Sequence, residues 1–245
     1  MLTEAIERYK EQNGLEAFRP KVALFDMDGV LYDSMGHHSV AWHDTMARFG
    51  YDMSYEDGYA MEGMRGIDTI RAVAEREGKP HLSDEECLRI YDIKSKAYQA
   101  MGVSEIIPNV KDVHRTLIEQ GFKIGVVTGS GQKVLLDRIM RDFSDSVTEE
   151  LITSALDYKI GKPNPEPYLM GIRKASALLG EPLSGTDVIV FENAPLGVQA
   201  AKGAGCFTIA VNTGPLPDSA LKDAGADVVF KNMKELDEAS RRHTD

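Results

Sequence analysis

Residues 22–34 read VALFDMDGVLYDS, an apolar run of strand length that leads directly into two aspartates one residue apart and then a glycine. An unbroken apolar run is typical of a parallel strand that is covered on both faces. Such strands do not end in paired acids without reason, because an unpaired charge away from water is costly. Side chains alternate along an extended chain, so Asp26 and Asp28 can point to the same side, and Gly29 permits a sharp turn. The stretch predicts a metal-assisted reaction centre at the end of a buried strand.

Strand-like runs and helical patterns alternate along much of the remaining chain. The strand-like runs lie at 122–128, 187–191, 206–211 and 227–230, with a weaker one at 151–154, and the helical patterns lie at 110–120, 131–141, 165–179 and 195–203. Strands separated by helices favour right-handed crossovers into a single sheet. The predicted fold class is therefore α/β, with a doubly wound parallel sheet.

Three regions are predicted along the chain. Residues 1–19 form a short amphipathic helical extension that stops near residue 14 and carries no visible chemistry. Residues 36–103 read as several helices, at 37–49, 54–61, 68–77 and 83–101, the last beginning with a capping box at 83–86. This stretch is far longer than a crossover needs, so we expect a helical domain inserted after the first strand. Residues 20–35 and 104–245 then form the α/β core domain.

The chain carries 28 basic and 39 acidic residues, a formal net charge of −11. This balance argues against nonspecific binding to nucleic acid or anionic membranes, both of which attract basic surfaces. Cys87 and Cys206 lie far apart and are expected to be free thiols in a reducing compartment. No apolar run reaches membrane-spanning length, and the first ten residues are too acidic for a secretory signal. We expect a cytoplasmic monomer or weak homo-oligomer without nucleic-acid or membrane partners.

Polar side chains follow several of the predicted strands, and in an open parallel sheet ligands bind at the carboxyl ends of the strands. These side chains belong to Asp26, Asp28, Thr128, Glu192 and Asn193, and Lys162 lies in a loop between them. The set suits phosphoryl transfer. A hard cation such as Mg²⁺ prefers oxygen ligands, which Asp26, a backbone carbonyl near Asp28, and Glu192 or Asn193 can supply.

The remaining groups suit a phosphate. Thr128 and the backbone amides that follow it, at Gly129 and Ser130, can receive phosphate oxygens at a helix N-terminus. Lys162 can pair with the charge on the nucleophile and on the phosphate. One aspartate can then attack phosphorus while its neighbour handles protons.

At these same four places the chain resembles the haloacid dehalogenase superfamily of phosphotransferases. The matching motifs are DMDGVLYDS at 26–34, VVTGS at 126–130, GKP at 161–163 and FENAPLGVQAAKGAG at 191–205, and the resemblance covers about residues 20–232. The helical insertion resembles the cap of the branch that contains beta-phosphoglucomutase and many small sugar-phosphate phosphatases. The resemblance implies Asp26 as nucleophile, Asp28 as acid and base, Thr128 and Lys162 as stabilisers of the phosphoryl group, and Mg²⁺ as cofactor.

Two departures from the family pattern bear on function. Asn193 stands where the family usually has an aspartate, so we expect weaker metal binding, with Glu192 carrying more of the coordination. In the cap, His38 and Lys94 resemble mutase residues and are candidate substrate contacts. However, Glu62 stands where the mutase has a lysine, and Arg65, a candidate for gripping a distal group, lies one position early. Fewer cations for a second phosphate favour hydrolysis.

The sequence therefore predicts a Mg²⁺-dependent phosphatase that hydrolyses a small, sugar-phosphate-like metabolite through an aspartyl-phosphate. One alternative is a hexose-phosphate mutase like beta-phosphoglucomutase. The other is a phosphate-binding protein without turnover, which Asn193 alone suggests. Asp33 and Ser34 are expected to serve as hinge and helix cap rather than in catalysis.

Overall fold

The computed structural model describes residues 1–241 of the 245-residue chain. Within these residues six parallel strands form one sheet in the order β3-β2-β1-β4-β5-β6. The strands are β1 Val22–Phe25, β2 Lys123–Val127, β3 Val147–Thr153, β4 Val188–Glu192, β5 Phe207–Val211 and β6 Val228–Phe230. The predicted α/β class with a doubly wound parallel sheet is confirmed.

The central strand β1 is buried on both faces, as its unbroken apolar sequence predicts. Ala23 and Phe25 pack into one hydrophobic cluster, whereas Val22 and Leu24 pack into another on the opposite side of the sheet. The strand lies between β2 and β4 and pairs with both. The residues that follow β1 therefore emerge at the middle of the carboxyl edge of the sheet, where open α/β sheets bind ligands.

Helices outside residues 35–100 cover both faces of the sheet. Within residues 1–241 there are eleven α-helices. They are α1 Leu2–Asn13, α2 Met35–Arg48, α3 Tyr55–Ala60, α4 Gly66–Arg76, α5 Asp84–Ala100, α6 Val110–Glu119, α7 Lys133–Asp142, α8 Glu166–Leu179, α9 Pro195–Gly203, α10 Asp218–Asp223 and α11 Met233–Arg241. Sequence patterns did not predict α10 and α11. They also placed only the end of β3, because Glu149 and Glu150 interrupt its apolar run at an exposed part of this edge strand.

Helices α2–α5 and their loops, residues 35–100, lie between β1 and α6 and are called here the helical insertion. The insertion has a hydrophobic cluster of its own, formed by Trp42, Met46, Met53, Ile70, Val73, Cys87 and Ile90. The predicted capping box at the start of α5 is present, since Ser83 and Glu86 bond each other's backbone amides. The exact boundaries of the three predicted regions stay predictions.

The chain enters and leaves the insertion through two segments that pair with each other. Tyr32 forms an antiparallel bridge with Ile106, and the amide of Asp33 donates to the carbonyl of Glu105 at 2.8 Å. The amide of Ile107 likewise donates to the carbonyl of Leu31 at 2.9 Å. Both covalent connections between the insertion and the sheet thus lie at a single place, beside the end of β1.

Helix α1 packs against the sheet and contributes no group to its carboxyl edge. The Tyr9 hydroxyl donates to the carbonyl of Gly205 at 2.6 Å, and the Tyr9 ring makes edge contacts with Phe18 and Phe207. Cys87 and Cys206 are buried free thiols, as predicted. Across residues 1–241 no helix has both the length and the apolar character needed to cross a membrane.

Candidate active site

Three strand ends and one loop bring the predicted catalytic side chains together. Asp26 follows β1, Thr128 follows β2, and Glu192 is the last residue of β4. Lys162 lies in the loop before α8, and its Nζ is 2.5 Å from Asp26 Oδ1 and 2.6 Å from Glu192 Oε1. All four side chains are buried. A single ammonium thus bridges two carboxylates at the carboxyl edge of the sheet.

Burial sets the electrostatics of this bridge. Burial raises the pKa of Asp26 to about 7, although Lys162 opposes the shift. Burial alone would lower the pKa of Lys162, but the carboxylates of Asp26 and Glu192 raise it well above its usual value. The lysine is therefore held as a cation beside the oxygen predicted to attack phosphorus.

Glu192 has a further partner that sequence patterns did not indicate. Tyr168, on the buried face of α8, donates its hydroxyl hydrogen to Glu192 Oε1 at 2.6 Å, and its ring lies beneath Lys162 Nζ. The other carboxylate oxygen, Oε2, accepts the backbone amide of Asn193 at 3.1 Å. An aromatic residue on a buried helix face usually belongs to the core, so no sequence signal separates Tyr168 from its apolar neighbours.

Asp28 is held by two residues at the start of the insertion. Its Oδ1 accepts the Ser34 hydroxyl at 2.6 Å and lies 3.1 Å from His38 Nε2. Burial alone would raise the pKa of Asp28, but His38 and Ser34 lower it below its usual value. Ser34 stands at the N-cap position of α2, as predicted, but its side chain makes no capping bond and binds Asp28 instead.

Lys94 of α5 lies behind His38. Its Nζ is 2.5 Å from His38 Nδ1 and lies over the rings of Trp42 and Tyr98. Burial lowers the pKa of Lys94 to about 7. The side chain does not line the cavity beside Asp28, so the structure places Lys94 where it can orient His38 rather than touch a ligand.

A cavity beside Asp26 and Asp28 lies between the sheet edge and the insertion. It is lined by these aspartates together with Gly129 and Ser130 of the core, and by Met35, His38, Trp42, Gly58, Met61, Glu62, Gly63, Met64, Gly66, Thr69 and Tyr91 of the insertion. Within the described chain no lysine or arginine lines it. Arg65 instead points toward Asp68, with its Nε 3.7 Å from Oδ2, and packs beside Gly161.

Thr128 begins the loop between β2 and α7. Its Oγ1 accepts the backbone amide of Ser130 at 3.0 Å, which leaves the hydroxyl hydrogen available to a ligand. A Cβ added at Gly129 would lie 2.9 Å from the carbonyl oxygen of Gly63. Only glycine at 129 therefore lets the insertion approach this loop so closely.

Glu62 reaches from the insertion into the core, where sequence reasoning had seen only the loss of a lysine. Asn193 Nδ2 donates to Glu62 Oε2 at 3.1 Å. Burial raises the pKa of Glu62 well above its usual value, and the charges of Asp26, Glu192 and Asp28 add to this shift. A lone glutamate in a glycine-rich turn gives no sequence signal for such a contact.

The oxygen atoms at this contact fit a hard cation. Asn193 Oδ1 and Glu62 Oε1 are buried acceptors that lack a hydrogen-bond partner. Carboxylate and amide oxygens are the ligands that Mg²⁺ prefers. No group of three or more His, Cys, Asp or Glu side chains within residues 1–241 is already arranged around a common point. The two unpartnered oxygens belong to side chains that are hydrogen-bonded to each other, and each retains capacity for a cation.

Comparison with known proteins agrees with this arrangement. The model of the family described as haloacid dehalogenase-like hydrolase matches residues 23–211. Glycerol-1-phosphate phosphohydrolase 1 from Saccharomyces cerevisiae is 30% identical over 224 residues, which cover 87% of this chain and 83% of that protein. Validoxylamine A 7'-phosphate phosphatase from Streptomyces hygroscopicus subsp. limoneus is 31% identical over 221 residues, covering 88% and 95%.

A solved structure from Bacteroides vulgatus, described provisionally as a beta-phosphoglucomutase, superposes with a TM-score of 0.89 at 42% identity. The superposition covers 96% of this chain and 93% of that one. These findings confirm the predicted superfamily and its phosphohydrolase class. The family model spans more than half of the sequence, and the chain belongs to the haloacid dehalogenase-like hydrolases.

Proposed function

We propose that the chain is a Mg²⁺-dependent phosphatase that hydrolyses a small phosphorylated metabolite through an aspartyl-phosphate on Asp26. The observation that carries the proposal is the 2.5 Å contact between Asp26 and Lys162, beside a cavity that Asp28 also lines. A carboxylate can attack phosphorus only when the negative charges of both partners are screened. Lys162 supplies part of that screening at the attacking group.

In the first step an oxygen of Asp26 attacks phosphorus, and the bond from phosphorus to the ester oxygen breaks. Asp28 must enter this step in its protonated form, which its lowered pKa makes the minor one, and it gives that proton to the departing oxygen, which leaves as an alcohol. Thr128 Oγ1 accepts the Ser130 amide, so the Thr128 hydroxyl hydrogen is free to donate to a phosphoryl oxygen. In the second step Asp28 takes a proton from water, the water oxygen attacks phosphorus, and inorganic phosphate leaves Asp26.

The residues that would hold the metal are Asp26, Glu192, Asn193 and Glu62, together with the backbone carbonyl of Asp28. When bound, Mg²⁺ supplies positive charge that offsets the repulsion between the carboxylates and the phosphate. Glu62 provides a carboxyl group, which would ionise on binding the cation, where Asn193 lacks the charge of an aspartate. Direct coordination by Glu192 competes with its bonds to Lys162 and Tyr168.

The insertion limits the size of the alcohol that can leave after the phosphoryl group is transferred to Asp26. Trp42, Tyr91 and three methionines line the side of the cavity that faces away from the sheet. These side chains leave room for a compact leaving group and provide no cation for a second phosphate. The names of the yeast and Streptomyces relatives, which are phosphatases of small phosphorylated compounds, support the same substrate class.

Replacing Asp26 with asparagine tests the nucleophile. Phosphate release from a panel of phosphorylated metabolites should fall by roughly a thousandfold or more, because a catalytic nucleophile is removed. Asp44→Asn, an exposed aspartate on α2, is the matched control and should keep full activity. Retained hydrolysis in Asp26→Asn would exclude attack by Asp26.

A second candidate is a hexose-phosphate mutase, in which the phosphoryl group passes to a sugar rather than to water. The specific observation in its favour is the 42% identity to the Bacteroides vulgatus protein. Both reactions begin with the same phosphorylated aspartate, so the core residues do not separate them. Incubation with beta-glucose 1-phosphate does: isomerised product that forms faster than inorganic phosphate supports the mutase, and the reverse supports the phosphatase.

A further inference from the structure

A short loop of the insertion, residues 61–65, lies directly on the core beside the cavity. A Cβ added at Gly63 would lie 2.7 Å from Lys162 Cδ, and one added at Gly161 would lie 2.9 Å from Arg65 Cγ. The contact between Gly129 and the Gly63 carbonyl is equally close. Glycines on both sides of the interface thus allow the insertion to approach the catalytic residues without an intervening side chain.

Glu62 and Asn193 meet across this interface with unsatisfied hydrogen-bond acceptors. Its side chain is 7% exposed and that of Asn193 is 5% exposed, yet each keeps one oxygen without a hydrogen-bond partner. Leaving a buried acceptor unpaired costs free energy, and for a carboxylate the cost is larger. The nearby cations do not relieve it, since Lys162 pairs with Asp26 and Glu192 and Lys94 contacts His38.

The contact joins two parts of the molecule that have separate hydrophobic clusters. Glu62 belongs to the insertion, Asn193 belongs to the core, and the chain crosses between these parts only at the paired segments near Tyr32 and Ile106. Rotation at this attachment would carry Glu62 away from Asn193 and expose both oxygens to water. A cation bound to both oxygens therefore binds the closed arrangement more tightly than the open one.

We propose that a divalent cation bridges Glu62 Oε1 of the insertion and Asn193 Oδ1 of the core, so that cation binding and closure of the insertion are one equilibrium. The inference rests on the metal dependence of the proposed function and adds to it a direct mechanical link. A ligand shifts a conformational equilibrium only by its difference in affinity for the two states. Here the difference comes from the oxygen that the insertion contributes.

Trp42 provides the readout, because it is the only tryptophan of the chain and lines the cavity from α2. Mg²⁺ is titrated into the full-length protein without substrate while acrylamide quenching of Trp42 is followed, and the Mg²⁺ dissociation constant is measured separately by calorimetry. We expect quenching to fall as Mg²⁺ binds, with the same midpoint in both measurements. Quenching that stays constant through a calorimetrically proven binding transition overturns the proposal.

Variants test whether the Mg²⁺-dependent change in Trp42 quenching comes from the proposed bridge between Glu62 and Asn193. Glu62→Gln should weaken Mg²⁺ binding by roughly tenfold or more, the scale seen when metal-site groups are altered, and should abolish the change in Trp42 quenching. Glu75→Gln, an exposed glutamate of α4, is the matched control and should behave as the wild type. An unchanged Mg²⁺ affinity in Glu62→Gln contradicts the proposal.

Asn193→Asp keeps the test decisive if Glu62→Gln fails to fold. It removes the amide donor to Glu62 and supplies a second carboxylate, so at a pH where both carboxyls are ionised the Mg²⁺-free protein should open, and Mg²⁺ should bind more tightly with a larger change in Trp42 quenching. A smaller change would count against the bridge. Phosphate release at saturating Mg²⁺ is measured in parallel. Hydrolysis without any Mg²⁺-dependent change in Trp42 quenching refutes only the bridge. Absence of Mg²⁺ binding refutes both the bridge and the proposed metal dependence.

Discussion

The hydroxyl of Tyr168 and the ammonium of Lys162 bind the same oxygen, Glu192 Oε1, each at 2.6 Å. Two donors from the loop and helix that follow β3 thus fix one carboxylate at the end of β4. The arrangement orients Glu192 and, through Lys162, the position of Asp26.

Replacing Tyr168 with phenylalanine should lower the free energy of unfolding by about 2 kcal/mol, since a buried hydrogen bond to a charged group is lost. It should also change the Mg²⁺ concentration needed for half-maximal phosphate release, because Glu192 becomes free to turn. Urea unfolding and Mg²⁺ titrations measure the two effects. Tyr55→Phe, at an exposed tyrosine of α3, serves as control. Equal behaviour of the two variants would show that Tyr168 only fills space.

Lys94→Met should lower kcat by roughly tenfold or more while leaving KM nearly unchanged, because Lys94 acts on Asp28 through His38 and does not line the cavity. The pH dependence of kcat should shift as well. Steady-state kinetics between pH 5 and about pH 9 give both quantities. A large rise in KM at constant kcat would instead indicate direct substrate contact, the role that sequence resemblance suggests.

Gly129→Ala should lower kcat/KM, because the new methyl group would meet the Gly63 carbonyl at 2.9 Å and push the insertion away from the core. Gly36→Ala is a matched control within α2, where an added Cβ meets nothing within 4 Å. Its activity should equal that of the wild type. Trp42 quenching distinguishes a displaced insertion from a local loss of phosphate contacts at residue 129.

The buried side chain of His114 should make the free energy of unfolding depend on pH. Burial lowers its pKa to about 3 from 6.5, so between these values the unfolded chain binds a proton that the folded chain does not. Folding stability from this group is therefore present above pH 6.5 and is lost as pH falls toward 3. At about pH 4 the loss is on the order of 3 kcal/mol.

The variant His114→Phe should lose less stability than the wild type between neutral pH and about pH 4. The ring packs between Phe25 and Phe143, so phenylalanine keeps an aromatic contact there. Urea unfolding at several pH values provides the comparison, with His81→Gln on the exposed surface as control. Parallel pH profiles for wild type and His114→Phe would remove His114 as a source of acid sensitivity.

The sheet and the core of the site could be predicted from sequence because both depend on local pattern. The apolar run 22–25 defines β1, and strand ends on one sheet edge bring Asp26, Thr128 and Glu192 together. Short polar elements such as α10 escaped because six residues give too little periodicity to stand out.

The contacts that cross between the insertion and the core could not be predicted in the same way. Glu62 and Asn193 are separated by 131 positions, and Tyr168 differs from a core aromatic only by the atom that its hydroxyl meets. Lys94 could be recognised by resemblance, but its distance from the cavity depends on how α5 packs on α2. Such relationships are properties of the assembled molecule rather than of a local pattern.

The paired segments near Tyr32 and Ile106 have one more consequence. The chain leaves the sheet and returns to it at neighbouring positions. Residues 35–100 are therefore a contiguous insertion whose two ends lie side by side. A helical unit of different length or composition could be inserted between these two ends without altering any strand register. Changing substrate preference in such a scaffold is then a matter of exchanging one continuous stretch of sequence that keeps equivalents of His38 and Glu62, the residues that bind Asp28 and Asn193.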